Sequence, residues 1–129
     1  MQDRIIQLIA SLALALVPII LYYFWREHPP KGINRIYGYR TSLSMKNEAT
    51  WKAANDYAPK FLVPIGVSAI VLTFICFFYI TSLSLFHWLV IAFLAIGLFS
   101  IIPLTEWHLH KHFDKDGNPK KQSASGKEP

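Results

Sequence analysis

The way charge is sorted along this chain constrains its fold more than any other feature. No Asp, Glu, Lys or Arg occurs from Ile5 to Trp25, a run of 21 residues, and none from Phe61 to Thr105, a run of 45. A helix needs about 20 mainly apolar residues to cross roughly 30 Å of hydrocarbon at ~1.5 Å per residue. The first run suits one crossing, and the second suits two crossings joined by a tight turn. A buried soluble hairpin is a poor alternative, because a 45-residue uncharged run leaves a small domain with no solvent face. The expectation is an all-α membrane protein with three transmembrane helices, at about residues 5–25, 61–80 and 85–107.

Local signals fill in this frame. A cleavable secretory signal has an apolar core of about 7–15 residues and a small-residue cleavage site. The first run is longer, and Tyr22-Tyr23-Phe24-Trp25-Arg26 offers no such site, so it reads as a retained helix. Pro18 is expected to kink that helix, since proline removes a backbone donor. Ser11 and Ala15, four apart, are a small-residue packing signal. Pro64 falls in the first turn of the second helix, where proline is tolerated, and Thr81 to Ser84 reads as the turn. The lone Cys76 excludes an internal disulfide and reads as a packing residue. Residues 1–113 form one membrane domain, and residues 114–129 form a polar tail expected to be disordered, above all from Lys120 on.

Charge also implies an orientation. With three spans, the 35-residue loop 26–60 and the tail share one side, and together they hold 12 of the 13 Lys and Arg. The N-terminus and the short turn hold only Arg4. Basic residues near span ends stay cytoplasmic, so the N-terminus is expected outside and the loop and C-terminus in the cytoplasm. Tyr22, Tyr23, Trp25, Tyr57 and Trp107 then form an inner aromatic belt, with Tyr79 and Trp88 near the outer boundary.

The loop does not read as a spacer. It is dense in Tyr, Arg, Asn and Trp, which make directional hydrogen bonds and bury large rings. Its second half has a helical pattern: Ser44 is a suitable N-cap, Glu48 suits the helix dipole, and Trp51, Ala54, Tyr57 and Ala58 share one face. This predicts a cytoplasmic amphipathic interfacial helix between helices one and two, lying on the membrane surface or on the bundle. It serves either as a connector anchored by Trp51 or as part of a recognition surface. Gly38 between two tyrosines marks a tight turn. Arg35 and Arg40 are solvated at the interface, bind phosphates of anionic lipid headgroups, or pair with a carboxylate.

The residues Asn34, Arg35, Tyr37, Gly38, Tyr39, Arg40 and Thr41, then Ser44 and Met45, then Thr50, Trp51, Ala54 and Asn55, resemble the hallmark of the SdpI family of bacterial membrane proteins. The resemblance covers roughly Ile5 to Phe113 and includes a Thr105-Glu106 pair near the end of the third helix. It implies a multi-pass protein of the bacterial cytoplasmic membrane. It also implies a role in immunity to a toxic antimicrobial peptide or in related membrane signalling through a regulator, with the motif loop structural or partner-binding. The family's namesake resembles a longer protein with further helices, and this chain has the three-helix unit alone. The alternative function is a small structural or regulatory subunit of a larger membrane complex.

The remaining chemistry-bearing residues are sparse. His108 and His112 share a helical face at a spacing that suits a metal, but they need a third ligand such as Glu106 or His28, and a polar helix end in the headgroups accounts for them. No metal and no cofactor is expected. Asp114 to Asn118 reads as a turn, because its glycine and missing glutamate do not fit a calcium loop. A carboxylate at a membrane boundary is costly unless solvated or paired, so Glu106 is expected either to be solvated or to form an ion pair with Arg35 or Arg40 that ties the loop to the third helix. No nucleophile–base pair, phosphate loop or intramembrane charge is present in the sequence. An enzyme is therefore not expected, and a membrane enzyme or transporter component using His108, His112 and Glu106 is the weakest alternative. Nucleic acid is not an expected partner, because topology and anionic lipid account for the basic excess.

Overall fold

The structure, a computed structural model, describes residues 1–121. Its four α-helices are α1 (Gln2–Glu27), α2 (Glu48–Tyr57), α3 (Leu62–Tyr79) and α4 (Leu83–His112), with a 3-10 turn over Ala58–Phe61 between α2 and α3. Three helical segments are long and apolar enough to cross a membrane: Gln2–Glu27, Glu48–Tyr79 and Leu83–His112. The fold is all-helical and membrane-spanning, as the charge-free runs require.

Packing follows the small residues. α1 packs mainly on α3, and its buried residues are Ser11, Ala15 and Pro18. Facing them, α3 offers Gly66, and a Cβ placed there would lie 2.5 Å from Ile19 Cγ1 and 3.0 Å from the Ala15 carbonyl oxygen. Two backbones can approach this closely only where side chains are small, which is how helices associate in lipid. The helix runs unbroken through Pro18. Beyond the seam, a buried cluster of Ala69, Cys76, Phe86, Val90 and Leu94 joins α3 to α4. The large apolar residues left exposed, among them Ile9, Ile20, Phe78, Ile96 and Phe99, belong to the spanning helices. In water such faces would be a liability, but in a bilayer they meet lipid.

The ends of the helices differ from the sequence expectation in physically informative ways. α2 begins at Glu48, not just after Ser44: its N-cap is Asn47, whose side chain accepts from Thr50 N while the Thr50 hydroxyl accepts from Asn47 N. This reciprocal capping box satisfies two orphan donors at once. Ser44 instead closes the preceding turn. α2 also runs without a break into α3, because Tyr57, Ala58, Phe61 and Leu62 all keep right-handed helical angles. Pro59 is accommodated at the start of the 3-10 turn, where no donor is needed. The amphipathic helix therefore lies on the bundle, against α4. α4 starts at Leu83, capped by Ser82, and runs on to His112 despite Pro103.

At the far end of α1, Arg4 donates to the carbonyl of Phe77 and lies 5.3 Å over its ring. A cation there satisfies one of the carbonyls left open in the last turn of α3.

The tail departs from the disorder expected from residue 114. Phe113 bridges to Pro119, Asp114 N donates to the Asn118 carbonyl at 2.9 Å, and Gly117 turns with φ +83°. The turn expected at Asp114 to Asn118 is present, with the Asp114 carboxylate accepting from Asp116 N and Asn118 N at 2.9 Å each. Of the stretch 120–129, residues 122–129 lie outside the described residues.

Candidate functional site: the motif loop and its anchor on the third span

The motif residues fold into a cap over one end of the bundle. Asn34 organises the entrance: its side-chain oxygen accepts from Ile36 N at 3.0 Å and Tyr37 N at 2.8 Å, and its amide donates to the Gly32 carbonyl. Gly38 follows with φ +110°, a conformation L side chains rarely adopt. It is also a point of close approach. A Cβ would lie 2.7 Å from Asn55 Oδ1 and 3.1 Å from both Pro30 Cγ and Trp51 Cζ2.

Asn55 and Ser44 hold the chain that leaves this turn. Asn55 Oδ1 accepts from Tyr39 N at 2.6 Å, and its amide donates to the Trp51 carbonyl at 2.9 Å. The Ser44 hydroxyl accepts from Thr41 N at 2.7 Å and lies 3.1 Å from the Tyr39 carbonyl. Thr50, fully buried, donates to the Ser44 carbonyl at 3.2 Å as well as closing the capping box. Trp51 is 1% exposed, and its indole nitrogen donates to the Pro30 carbonyl at 3.3 Å. Ala54 packs into the same core as Tyr39, Leu43, Leu62, Ile101 and Leu109. The buried polar groups of Asn55, Ser44 and Thr50 thus find partners, the condition for a buried polar network to be stable, whereas the buried Tyr37 hydroxyl has none.

Glu106 joins this cap to α4, but not through an arginine. Its Oε1 accepts from the Thr41 hydroxyl at 2.6 Å and from the Tyr39 hydroxyl at 2.9 Å. The expected ion pair with Arg35 or Arg40 is therefore corrected. Arg40 turns back to donate to the Arg35 carbonyl, both arginines are exposed, and the side chain near Glu106 is the imidazole of His110, with Nδ1 3.9 Å from Oε2. The physical reason is solvation: two hydroxyls satisfy a half-buried carboxylate without dehydrating a guanidinium. Burial, reinforced by the Glu106 hydrogen bond, holds the Tyr39 phenol well above its ordinary pKa. Burial also raises that of Tyr37. Both phenols therefore stay neutral across the physiological range.

His108 and His112 lie together, with ring centroids 4.5 Å apart. His108 stacks flat on Tyr57 with ring centroids 3.8 Å apart, and Lys60 Nζ lies 5.7 Å from the Tyr57 ring centroid. Among the described residues, no group of three or more His, Cys, Asp or Glu is gathered as a metal would need.

Two anchors were not foreseen. Asn47 donates from its amide to the Gly117 carbonyl at 2.8 Å, tying the tail turn to the start of α2. The Ile102 carbonyl lies 3.2 Å from the Tyr39 hydroxyl. The Asn47-x-x-Thr50 spacing signals the cap in sequence, whereas nothing local signals the tail contact. Cap and tail therefore share one end of the bundle.

The sequence model of the SdpI/YfhL protein family matches residues 31–105. The chain belongs to this family. The matched region opens just before the cap and closes on the third span, one residue short of the carboxylate that anchors the cap. A curated relative, the uncharacterized protein YfhL of Bacillus subtilis (strain 168), is 44% identical over 39 residues. That stretch is 30% of this chain and spans about a third of the relative's length, 36%. No solved structure matches the chain.

Proposed function

We propose that this chain is a non-enzymatic protective protein of a bacterial cytoplasmic membrane, which recognises a toxic membrane-active peptide or shields the bilayer against it. One observation carries the reading. Asn34, Tyr39, Thr41, Ser44, Thr50 and Asn55 direct their hydrogen bonds inward, so the motif is a scaffold. What it presents outward is a fixed patch of Arg35, Arg40 and Ile36, the last 91% exposed. A rigid cap with a cationic and apolar outer patch suits recognition rather than bond-making, and immunity is the role the family resemblance implies. The basic loop and the tail docked on it favour a cytoplasmic cap and an external N-terminus.

The test is survival. Sensitive cells producing the chain are challenged with a secreted killing peptide of the class the family's namesake resists. Wild-type chain is expected to raise survival, and Arg35→Glu with Ile36→Ser to abolish the gain while the protein still reaches the membrane. Equal survival with wild-type chain and empty vector would sink the proposal.

A second reading, a regulatory or structural subunit of a larger complex, draws on the same exposed Ile36, which suits a protein partner. A stoichiometric partner retained in mild detergent would favour it.

A further inference from the structure

Beneath the motif backbone, a crevice of about 310 Å³ opens at the side of the bundle. Its floor is apolar: Trp25 from the end of α1, Ala58 and Leu62 from the approach to α3, and Leu98, Ile101 and Ile102 from α4. Arg40 and Thr41 complete the lining. Its size lies within the roughly 300–1,000 Å³ of small-molecule sites. Its depth in the bilayer follows from charge. Trp25 is the last residue of the first uncharged run, and Leu62 is the second residue of the other. The crevice therefore straddles the boundary between hydrocarbon and headgroups.

Two observations define what fits there. First, the lining combines aliphatic side chains with a guanidinium. Arg40, a lining residue, donates one N–H to the Arg35 carbonyl, which leaves the other donors of its guanidinium to offer. Second, no acidic residue lines it, and across Trp25 a neighbouring crevice adds Arg26 and Lys60. The one carboxylate of that second crevice, Asp56, is paired with Lys52 at 2.6 Å. An apolar slot with a cationic rim at the headgroup level complements an acyl chain joined to a phosphate.

We propose that this crevice holds one anionic phospholipid from the leaflet at the cap end, with an acyl chain against Leu62, Leu98 and Ile101 and its phosphate on Arg40. The site shares Arg40 with the outward patch of the protective reading, but the two stand separately: a bound lipid without peptide resistance, or the reverse, distinguishes them.

The experiment is native mass spectrometry of the full chain, released from nanodiscs of equimolar phosphatidylglycerol and phosphatidylcholine. A single-lipid adduct enriched in phosphatidylglycerol is expected. Arg40→Gln keeps the adduct but lowers the preference about fivefold, the scale of one basic residue at an anionic surface. Arg35→Gln, whose side chain does not line the crevice, leaves the preference unchanged. Ile102→Trp or Leu98→Trp fills the slot and removes the adduct with either lipid, judged in whichever variant keeps Cys76 shielded from thiol reagents. Absence of an adduct in the wild-type chain, equal amounts of the two lipids, or a preference indifferent to Arg40→Gln would each overturn the proposal. Those readings stand on well-folded protein even where both filling variants unfold.

Discussion

The anchor at Glu106 can be separated experimentally from the ion pair that sequence alone suggests. Its Oε1 receives two hydroxyl donors, from Thr41 and Tyr39. Hydrogen bonds to a charged group contribute about 1.5–3 kcal/mol each. The Glu106 side chain is 27% exposed, so solvent weakens both. We expect Glu106→Ala to cost about 2–4 kcal/mol of stability. Glu106→Gln keeps an acceptor oxygen in place and is expected to cost about 1–2 kcal/mol, because neutral bonds contribute roughly half as much. Arg40→Ala, at an exposed residue bonded only to a neighbouring carbonyl, is expected to change stability by less than about 0.5 kcal/mol. A Tyr39→Phe and Glu106→Gln double-mutant cycle should show a coupling of about 1 kcal/mol. Unfolding in a denaturing-detergent titration provides the readout, since the lone Cys76 is 2% exposed and reacts with a thiol reagent only when the bundle opens. Tryptophan emission follows the cap through Trp51. If Arg40→Ala destabilises as much as Glu106→Ala, the carboxylate is held by charge and the hydroxyl anchor is wrong.

Other outcomes follow from the same geometry. Gly38→Ala should destabilise the cap by about 2–5 kcal/mol, combining a left-handed backbone with overpacking against Asn55 and Trp51; wild-type tryptophan emission in that variant would contradict this. Asn47→Ala should cost about 1 kcal/mol at the α2 N-terminus and release the tail, seen as faster tryptic cleavage at Lys115. Tyr39 should ionise well above the ordinary tyrosine range, because burial and the bond to Glu106 favour the neutral phenol. Its pKa is raised in the fold, so its contribution is complete below the ordinary value of 10.0 and is lost as pH climbs beyond it. Tyrosinate absorbance of Tyr39→Phe against wild type reads this directly. Asp114 behaves oppositely. Hydrogen bonds from Asn118 hold its carboxyl below the ordinary 3.8, so the tail turn is intact above that pH and loosens as pH falls through the lowered value, which amide chemical shifts of Asn118 would follow.

The three spans were readable because the bilayer leaves few choices: a long uncharged run has to become helix. The small-residue seam was readable for a similar reason, and Ser11 and Ala15 are both fully buried. The motif loop was readable as structured, from its aromatic and amide content, but its internal wiring was not. Ser44 looks like a helix cap in isolation, yet Asn47 takes that role because Thr50 completes the reciprocal pair. Likewise, opposite charges suggested Arg35 or Arg40 for Glu106, whereas the chosen donors are two hydroxyls 65 and 67 residues away in sequence. Which of several competent donors reaches a carboxylate is decided by how α2 packs on α4, and local pattern carries no information about that. The tail turn was legible at Asp114, but its docking on Asn47 depends on the same tertiary packing.

The long reach of the Glu106 contacts has a consequence for biogenesis. Synthesis proceeds from the N-terminus, so the first helix enters the bilayer with Ser11 and Ala15 facing no partner until Gly66 has emerged. Tyr39 and Thr41 wait still longer, since their acceptor lies near the end of the last span. The cap is therefore a late-closing latch: a chain truncated before the third span leaves the hydroxyls of Tyr39 and Thr41 without their carboxylate acceptor.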